Sequence, residues 1–161
     1  MPITISGSTG IAGVDGSAAT PAVQGTDTNT GMYFAADAIY FTEGGVQCGA
    51  FDSSANFQFN SGYGSVATAY GCRAWVNFNG TGAVAIRASG NVTSITDNGT
   101  GDYTVNFTSA MPDGNYSCYR CDSEVGVGEF VALNTGSTRF RVRNSAFALI
   151  DSSVILFAVF R

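Results

Sequence analysis

Apolar side chains along this chain recur at every second residue in short runs. No stretch sustains the three-to-four-residue repeat of an amphipathic helix. Each run is cut off by a cluster of Gly, Asn, Asp, Ser or Thr. These residues accept positive φ or form the local side-chain hydrogen bonds of tight turns. A chain punctuated in this way folds as short strands joined by turns, so the expectation is an all-β protein.

The pattern differs between two regions. Up to residue 70 the strand candidates are short: Ile3–Ile5, Met32–Phe34, Ala38–Thr42, Val46–Phe51 and Asn56–Phe59. Long small-residue segments such as Gly7–Gly16 and Gly25–Gly31 separate them. Glu43-Gly44-Gly45-Val46 and Phe51–Asn56 read as hairpin turns. From residue 71 the candidates lengthen: Arg73–Phe78, Ala83–Ser89, Asn91–Thr96, Asp102–Ser109, Tyr116–Asp122, Val125–Asn134, Thr138–Arg143 and Ser153–Arg161. Asn79–Gly82, Ser89–Asn91, Asp97–Gly101 and Pro112–Asn115 are the turns between them. Eight strands with short turns imply a β-sandwich over residues 71–161. The boundary is expected within Ser61–Tyr70, which leaves an N-terminal region of residues 1–65.

The N-terminal strands are too short to bury a core alone. Three copies around an axis would supply the missing neighbours, with Ile39, Phe41, Val46 and Phe51 facing inward. Composition points the same way. Charged residues make up 12% of the 161, about half the usual share, and the net charge is −5. Exposed β edges on so neutral a surface invite pairing, and a tight oligomer buries them. An ordinary sandwich with a polar surface fits the same composition.

Several chemistries drop out. The sequence has no His, which removes Ser-His-Asp and Cys-His catalysis and imidazole metal sites. All seven cations are Arg, so there is no Schiff-base or phosphate-loop lysine. Isolated Arg in an acidic chain argues against nucleic acid. The longest apolar run, Val154–Phe160, is far below the ~20 residues of a membrane span, and Met1-Pro2-Ile3-Thr4 lacks the start of a signal peptide. No cofactor and no membrane insertion are expected.

The remaining candidates are weak as chemistry. Cys118 and Cys121 have metal-ligand spacing but no second pair, and three residues apart on a strand they point to opposite faces. With Cys48 and Cys72 they read as structural thiols, with a Cys72–Cys118 bridge left open. Asp97–Asp102 resembles a calcium loop but lacks the terminal Glu, so a hairpin explains it better. Asp113, Asp122, Glu124, Glu129 and Asp151 are the carboxylates that would serve glycoside cleavage, and nothing pairs them. Tyr116, Tyr119 and Arg120 form one possible sugar-stacking group. Arg139, Arg141 and Arg143 share one strand face, and their expected partners are acids of a neighbouring subunit. Trp75, Phe78, Phe107, Phe130 and Phe140 are expected in the core. The final strand, Ser153–Arg161, is expected to be central or at a trimer axis. Five Asn-X-Ser/Thr sequons, at Asn79, Asn91, Asn98, Asn106 and Asn115, follow from composition.

Two stretches resemble tail-fibre proteins of tailed bacteriophages. One runs from Ile5-Ser6-Gly7-Ser8-Thr9-Gly10 through Pro21-Ala22-Val23 and Asp27-Thr28-Asn29-Thr30-Gly31-Met32-Tyr33 to the Gly44-Gly45 hairpin and the Asp52-Ser53-Ser54-Ala55-Asn56 turn. The other runs from Cys72-Arg73-Ala74-Trp75 through Asp97-Asn98-Gly99-Thr100-Gly101-Asp102 to Met111-Pro112-Asp113 and is similar to C-terminal fibre domains. The resemblance implies a homotrimer with an intertwined shaft over residues 1–65 and a terminal knob over 71–161. It implies a virion protein assembled in the host bacterial cytoplasm. Its partners would be other tail or baseplate proteins, through the N-terminal region, and a host-surface glycan or protein. The work would be binding, with no catalysis. The alternative is a decoration or adaptor protein of tail or capsid without receptor contact.

If the eight knob strands alternate in direction, the odd-numbered connections gather at the far end. Those are Asn79–Gly82, Asp97–Gly101, the Asp122–Glu124 turn and Asn144–Ser152. Asn79, Asp97, Asn98, Asp122, Ser145 and Asp151 are then the candidate receptor-binding residues, because recognition usually sits on loops held by a rigid scaffold.

Overall fold

The computed structural model describes residues 13–123 and 128–161. The Ile3–Ile5 strand, Glu124 and the first residues of the Val125–Asn134 strand lie outside them. Fourteen strands and no helix are found among the described residues. They form three antiparallel sheets in two compact units, divided between Ala69 and Tyr70.

The first unit holds one six-stranded sheet in plain chain order. Its strands are β1 (Val23–Gln24), β2 (Gly31–Ala35), β3 (Ala38–Glu43), β4 (Val46–Phe51), β5 (Phe57–Phe59) and β6 (Ala67–Thr68). Gly44 (φ 58°) and Gly45 (φ 78°) make the two-residue turn between β3 and β4, where both central residues need positive φ. Asp52 builds the next hairpin by accepting from Ser54 N and Asn56 N, each at 2.9 Å. Register sorts the side chains. Tyr33, Tyr40, Ala50, Gln58 and Thr68 align across the strands, and so do Met32, Phe41, Gly49, Phe59 and Ala67 on the other face. Phe34, Ile39, Phe51 and Phe57 make a second apolar row beside the latter. One face of this sheet is therefore apolar except at its end, where Glu43 follows Ile39 and Phe41 along β3.

The second unit is a sandwich of eight strands: β7 (Cys72–Asn79), β8 (Ala85–Gly90), β9 (Val92–Asp97), β10 (Asp102–Phe107), β11 (Ser117–Asp122), β12 (Gly128–Asn134), β13 (Ser137–Val142) and β14 (Ile155–Phe160). One sheet has the order β12-β13-β10-β9 and the other β11-β14-β7-β8. Inward residues alternate along each central strand: Ala74, Val76 and Phe78; Tyr103, Val105 and Phe107; Phe140 and Val142; Ile155, Phe157 and Val159. Phe140 lies among the rings of Phe78, Tyr103, Phe130 and Phe157, with centroids 5.7–6.4 Å away.

Two core expectations change, and the last strand takes its expected central place. Trp75 points outward, because Ala74 and Val76 take the inward positions of β7. Phe130 sits on the edge strand β12 and stays two-fifths exposed. The last strand is central, yet only one of its faces is covered: Leu156 and Phe160 are each 42% exposed.

Candidate functional site

Strand alternation brings the odd-numbered connections together at one end of the sandwich. Gly80 N donates to Ser152 O at 2.9 Å, Val142 N to Gly101 O at 2.7 Å and Ser123 N to Val154 O at 3.1 Å. The Tyr103 hydroxyl lies 2.7 Å from Asp151 Oδ1 and 2.9 Å from the Gly80 carbonyl oxygen. Asp151 Oδ1 also accepts from Gly101 N at 2.7 Å. Burial and the facing Asp151 carboxylate push the Tyr103 phenol well above its ordinary range, so it stays a donor. The opposite end is tied by Asn91, whose amide binds the backbone of Arg73 and Ser109. Arg161 reaches Asn115 and Asp113 there as well.

The side chains at the first end are mostly occupied by their own loops. Asn79 bonds Thr81 through both amide atoms, at 2.7 Å and 2.8 Å. Asp97 accepts from Gly99 N at 2.9 Å, and Asn98 donates to Thr104 Oγ1 at 2.9 Å. Asp122 does not sit on the surface: its side chain is 7% exposed and pairs with Arg120. Arg120 in turn lies over the Phe140 ring, 5.8 Å from its centroid. Ser145 is exposed in the turn after β13. The short polar residues that make these turns use their side chains to make them.

The three same-face arginines have partners, and the partners belong to the same chain. This corrects the expectation of a neighbouring subunit's acids. Asp102 on β10 stands opposite Arg141 on β13. It accepts from Arg139 Nε at 2.7 Å and Arg141 Nε at 2.9 Å. Glu129 on β12 takes Arg141 at 3.1 Å and Arg143 at 2.8 Å. Hydrogen bonds from Arg139 above all, then from Arg141, hold the Asp102 carboxyl down at about 2 despite its burial. Asn106 continues the ladder to Ser94 and Thr96 on β9. This outer face is polar and bonded from edge to edge.

The other candidates disperse. Tyr116 is buried, with its hydroxyl 2.6 Å from Thr138 Oγ1, while Tyr119 on the opposite face is 64% exposed. Each described candidate carboxylate is held by its own partner: Asp113 by Arg161, Asp122 by Arg120, Glu129 by Arg141 and Arg143, Asp151 by Gly101 N. All four cysteines are free, so no Cys72–Cys118 bridge forms. Cys118 faces the core and Cys121 the solvent, as their spacing on a strand requires. Among the described residues no group of three or more carboxylates and thiols is placed to hold a metal ion.

The first unit carries exposed apolar side chains over much of one face of its sheet. Ile39, Phe51, Phe57 and Phe59 are 40–47% exposed on it. The Phe51, Phe57 and Phe59 rings pack side by side, with centroids 5.5 Å and 6.3 Å apart. Among the described residues of this unit the only buried apolar side chains are Pro21, Ala38 and Ala50, all small. Val46 pairs with Glu43 at the hairpin end of the same face, where it is 65% exposed. The signal in the sequence that set Ile39 and Phe51 apart from an ordinary core is the shortness of the strands, while the alternation itself is the same as in the sandwich.

No family model, no curated protein and no solved structure matches the chain.

Proposed function

We propose that the chain is a homotrimeric fibre or appendage protein of a bacteriophage virion that binds a host-surface glycan or protein during adsorption. The observation that carries the assembly half is the apolar face of the β1–β6 sheet. A sheet with one bare apolar face and almost no core of its own needs a partner in order to fold. The partner present in equal amount whenever the chain is made is another copy of it. The recognition half rests on the resemblance to tail fibres and on the cluster of loops at one end of the sandwich.

A structural decoration or adaptor protein remains the second reading, and one observation favours it. Asn79, Asp97, Asn98, Asp122 and Asp151 are engaged in holding their own loops. Electron microscopy of virions labelled with antibody to this chain separates the two. Label at the free tip of a tail fibre supports recognition. Label on capsid faces or the tail tube sinks it in favour of decoration.

A further inference from the structure

We infer that the outer face of the β11-β14-β7-β8 sheet is a second self-association surface, buried against another copy of this chain. The inference rests on the homo-oligomer proposed above. Register places Tyr119, Ala158, Trp75 and Gly90 in one row across the four strands. Alternation along β14 sends Leu156 and Phe160 outward on either side of Ala158. The result is a shallow cup with a small floor, Ala158, and four large walls that are 42–64% exposed. Trp75 lies across Gly90 of the edge strand β8, where indole Cδ1 would be 2.9 Å from an added Cβ. Covering an edge glycine explains one face of the indole. The rest of the ring, and the three other walls, stay bare.

The two outer faces of the sandwich thus differ in chemistry. The β12-β13-β10-β9 face carries Ser94, Thr96, Asn106, Asp102, Arg139, Arg141 and Glu129 in a bonded ladder, which suits solvent. The opposite face suits a partner, since contiguous exposed apolar side chains mark interaction surfaces.

Charge and area select the partner. The chain carries −5, but β7, β8 and β14 contain no Asp or Glu, and Asp122 of β11 turns inward. Arg73 is exposed on β7 close to Trp75, and Arg87, bound to the neutral Asn77 Oδ1 at 3.3 Å and Ser153 O at 2.6 Å, keeps its charge, so the surroundings of the cup are cationic. A cationic patch on an acidic chain is complementary to the acidic surface of a neighbouring copy, which the head-to-tail contacts of a trimer can bring to it. The four walls offer on the order of 400 Å² per copy, about half of what a freely associating partner needs. Copies already joined through their N-terminal sheets are held at an effective concentration of about millimolar, where so small a face suffices.

Trp75 is the only tryptophan, so it reports on the cup. The test is acrylamide quenching of its fluorescence in the full chain, with mass followed by light scattering. The wild-type oligomer should be quenched several-fold less than Ala158→Arg and Tyr119→Asp. Both variants should keep the oligomeric mass through the N-terminal sheet, and Tyr119→Asp on the exposed edge strand guards against misfolding of the first. An oligomer whose Trp75 is quenched as freely as in both variants overturns the self-contact. Free quenching in the oligomer that falls on adding a host-surface oligosaccharide overturns it too, and assigns the cup to a glycan. A chain that is monomeric overturns the assembly reading itself, which light scattering reports separately.

Discussion

The two units are written in the same alternating code and reach different ends. In the sandwich the apolar positions of β7, β10, β13 and β14 face one another, and Phe78, Tyr103, Phe140 and Ile155 are fully buried within one chain. In the N-terminal sheet Ile39, Phe51 and Phe57 stay 40–47% exposed, and the described residues of their own unit form no second sheet to pack on them. Alternation specifies that a strand has two faces; it does not specify who covers the apolar one. A second sheet in the same chain does so for the sandwich. The described residues of the N-terminal unit hold a single meander, with no second sheet to do so.

The largest effect should follow from charging the bare face. Phe57→Asp is expected to convert the oligomer into a monomer near 16.6 kDa by light scattering. The sandwich should keep a cooperative melt, while the transition belonging to the first unit disappears. A variant that stays oligomeric and melts as before would erase the distinction between the units. The reciprocal change is Phe140→Ala. Removing a ring packed on four others should cost about 3–5 kcal/mol of sandwich stability. It should leave the oligomer joined through the first sheet, and denaturant midpoints measured beside scattering mass would show whether the two units fail independently.

A smaller effect separates backbone demand from packing. Gly101 has φ 66°, and a Cβ there would lie 2.7 Å from the carbonyl oxygens of Val142 and Ile150. Gly101→Ala should cost about 2 kcal/mol or more, because strain and the close approach add. Its melt should shift for the sandwich alone. An unchanged melt would mean that the loop cluster at this end is slack.

Smaller again is the acid response of the charged ladder. The folded Asp102 carboxyl lies near 2, below its ordinary value of 3.8. A depressed carboxyl contributes stability that is present above pH ~4 and is lost as the pH falls through 2. With Arg139 and Arg141 about one-third exposed, the contribution is about 1–2 kcal/mol after screening. Asp102→Asn should flatten the pH dependence of sandwich stability between pH 4 and 2. An equally steep acid limb in the variant would assign it to other carboxylates.

How far the sequence spoke varies with the range of the interaction. Turns such as Gly44-Gly45 and the six-residue β3 and β4 beside them were legible because the information is local. The two-residue strands Val23–Gln24 and Ala67–Thr68 carry no alternation and exist only because β2 and β5 give them partners. Trp75 misled because Ala74, Val76 and Phe78 offer a rival apolar face, and only the unseen Gly90 opposite makes the outward position roomy. The arginine face of β13 was legible by its period of two. Its partner Asp102 lies some 37 residues earlier and meets it only through the β10–β13 pairing. At the loop end the sequence located the turns, but it did not reveal that their Asn and Asp side chains are consumed in building them.

The smallest expected effect concerns the thiols, and it compares the two sides of one strand. Cys118 and Cys121 lie on β11 three residues apart and face opposite ways. Burial pushes the Cys118 thiol up to about 11, so at pH 7 roughly one molecule in ten thousand carries the reactive thiolate there. Cys121 is exposed and open to reagent, and Cys72, also exposed, donates its thiol to Ala74 O at 3.3 Å. No cross-link spans the sandwich, so no loop-closure entropy is at stake when a reductant is added. Melting temperature with and without reductant should agree to within about 1 °C, against the several degrees that loss of about 1 kcal/mol moves a domain of this size. Thiol labelling of the native chain should modify Cys121 well before Cys118. A fall of many degrees on reduction, or equal labelling of the two, would mean that β11 does not present its inner face to the core.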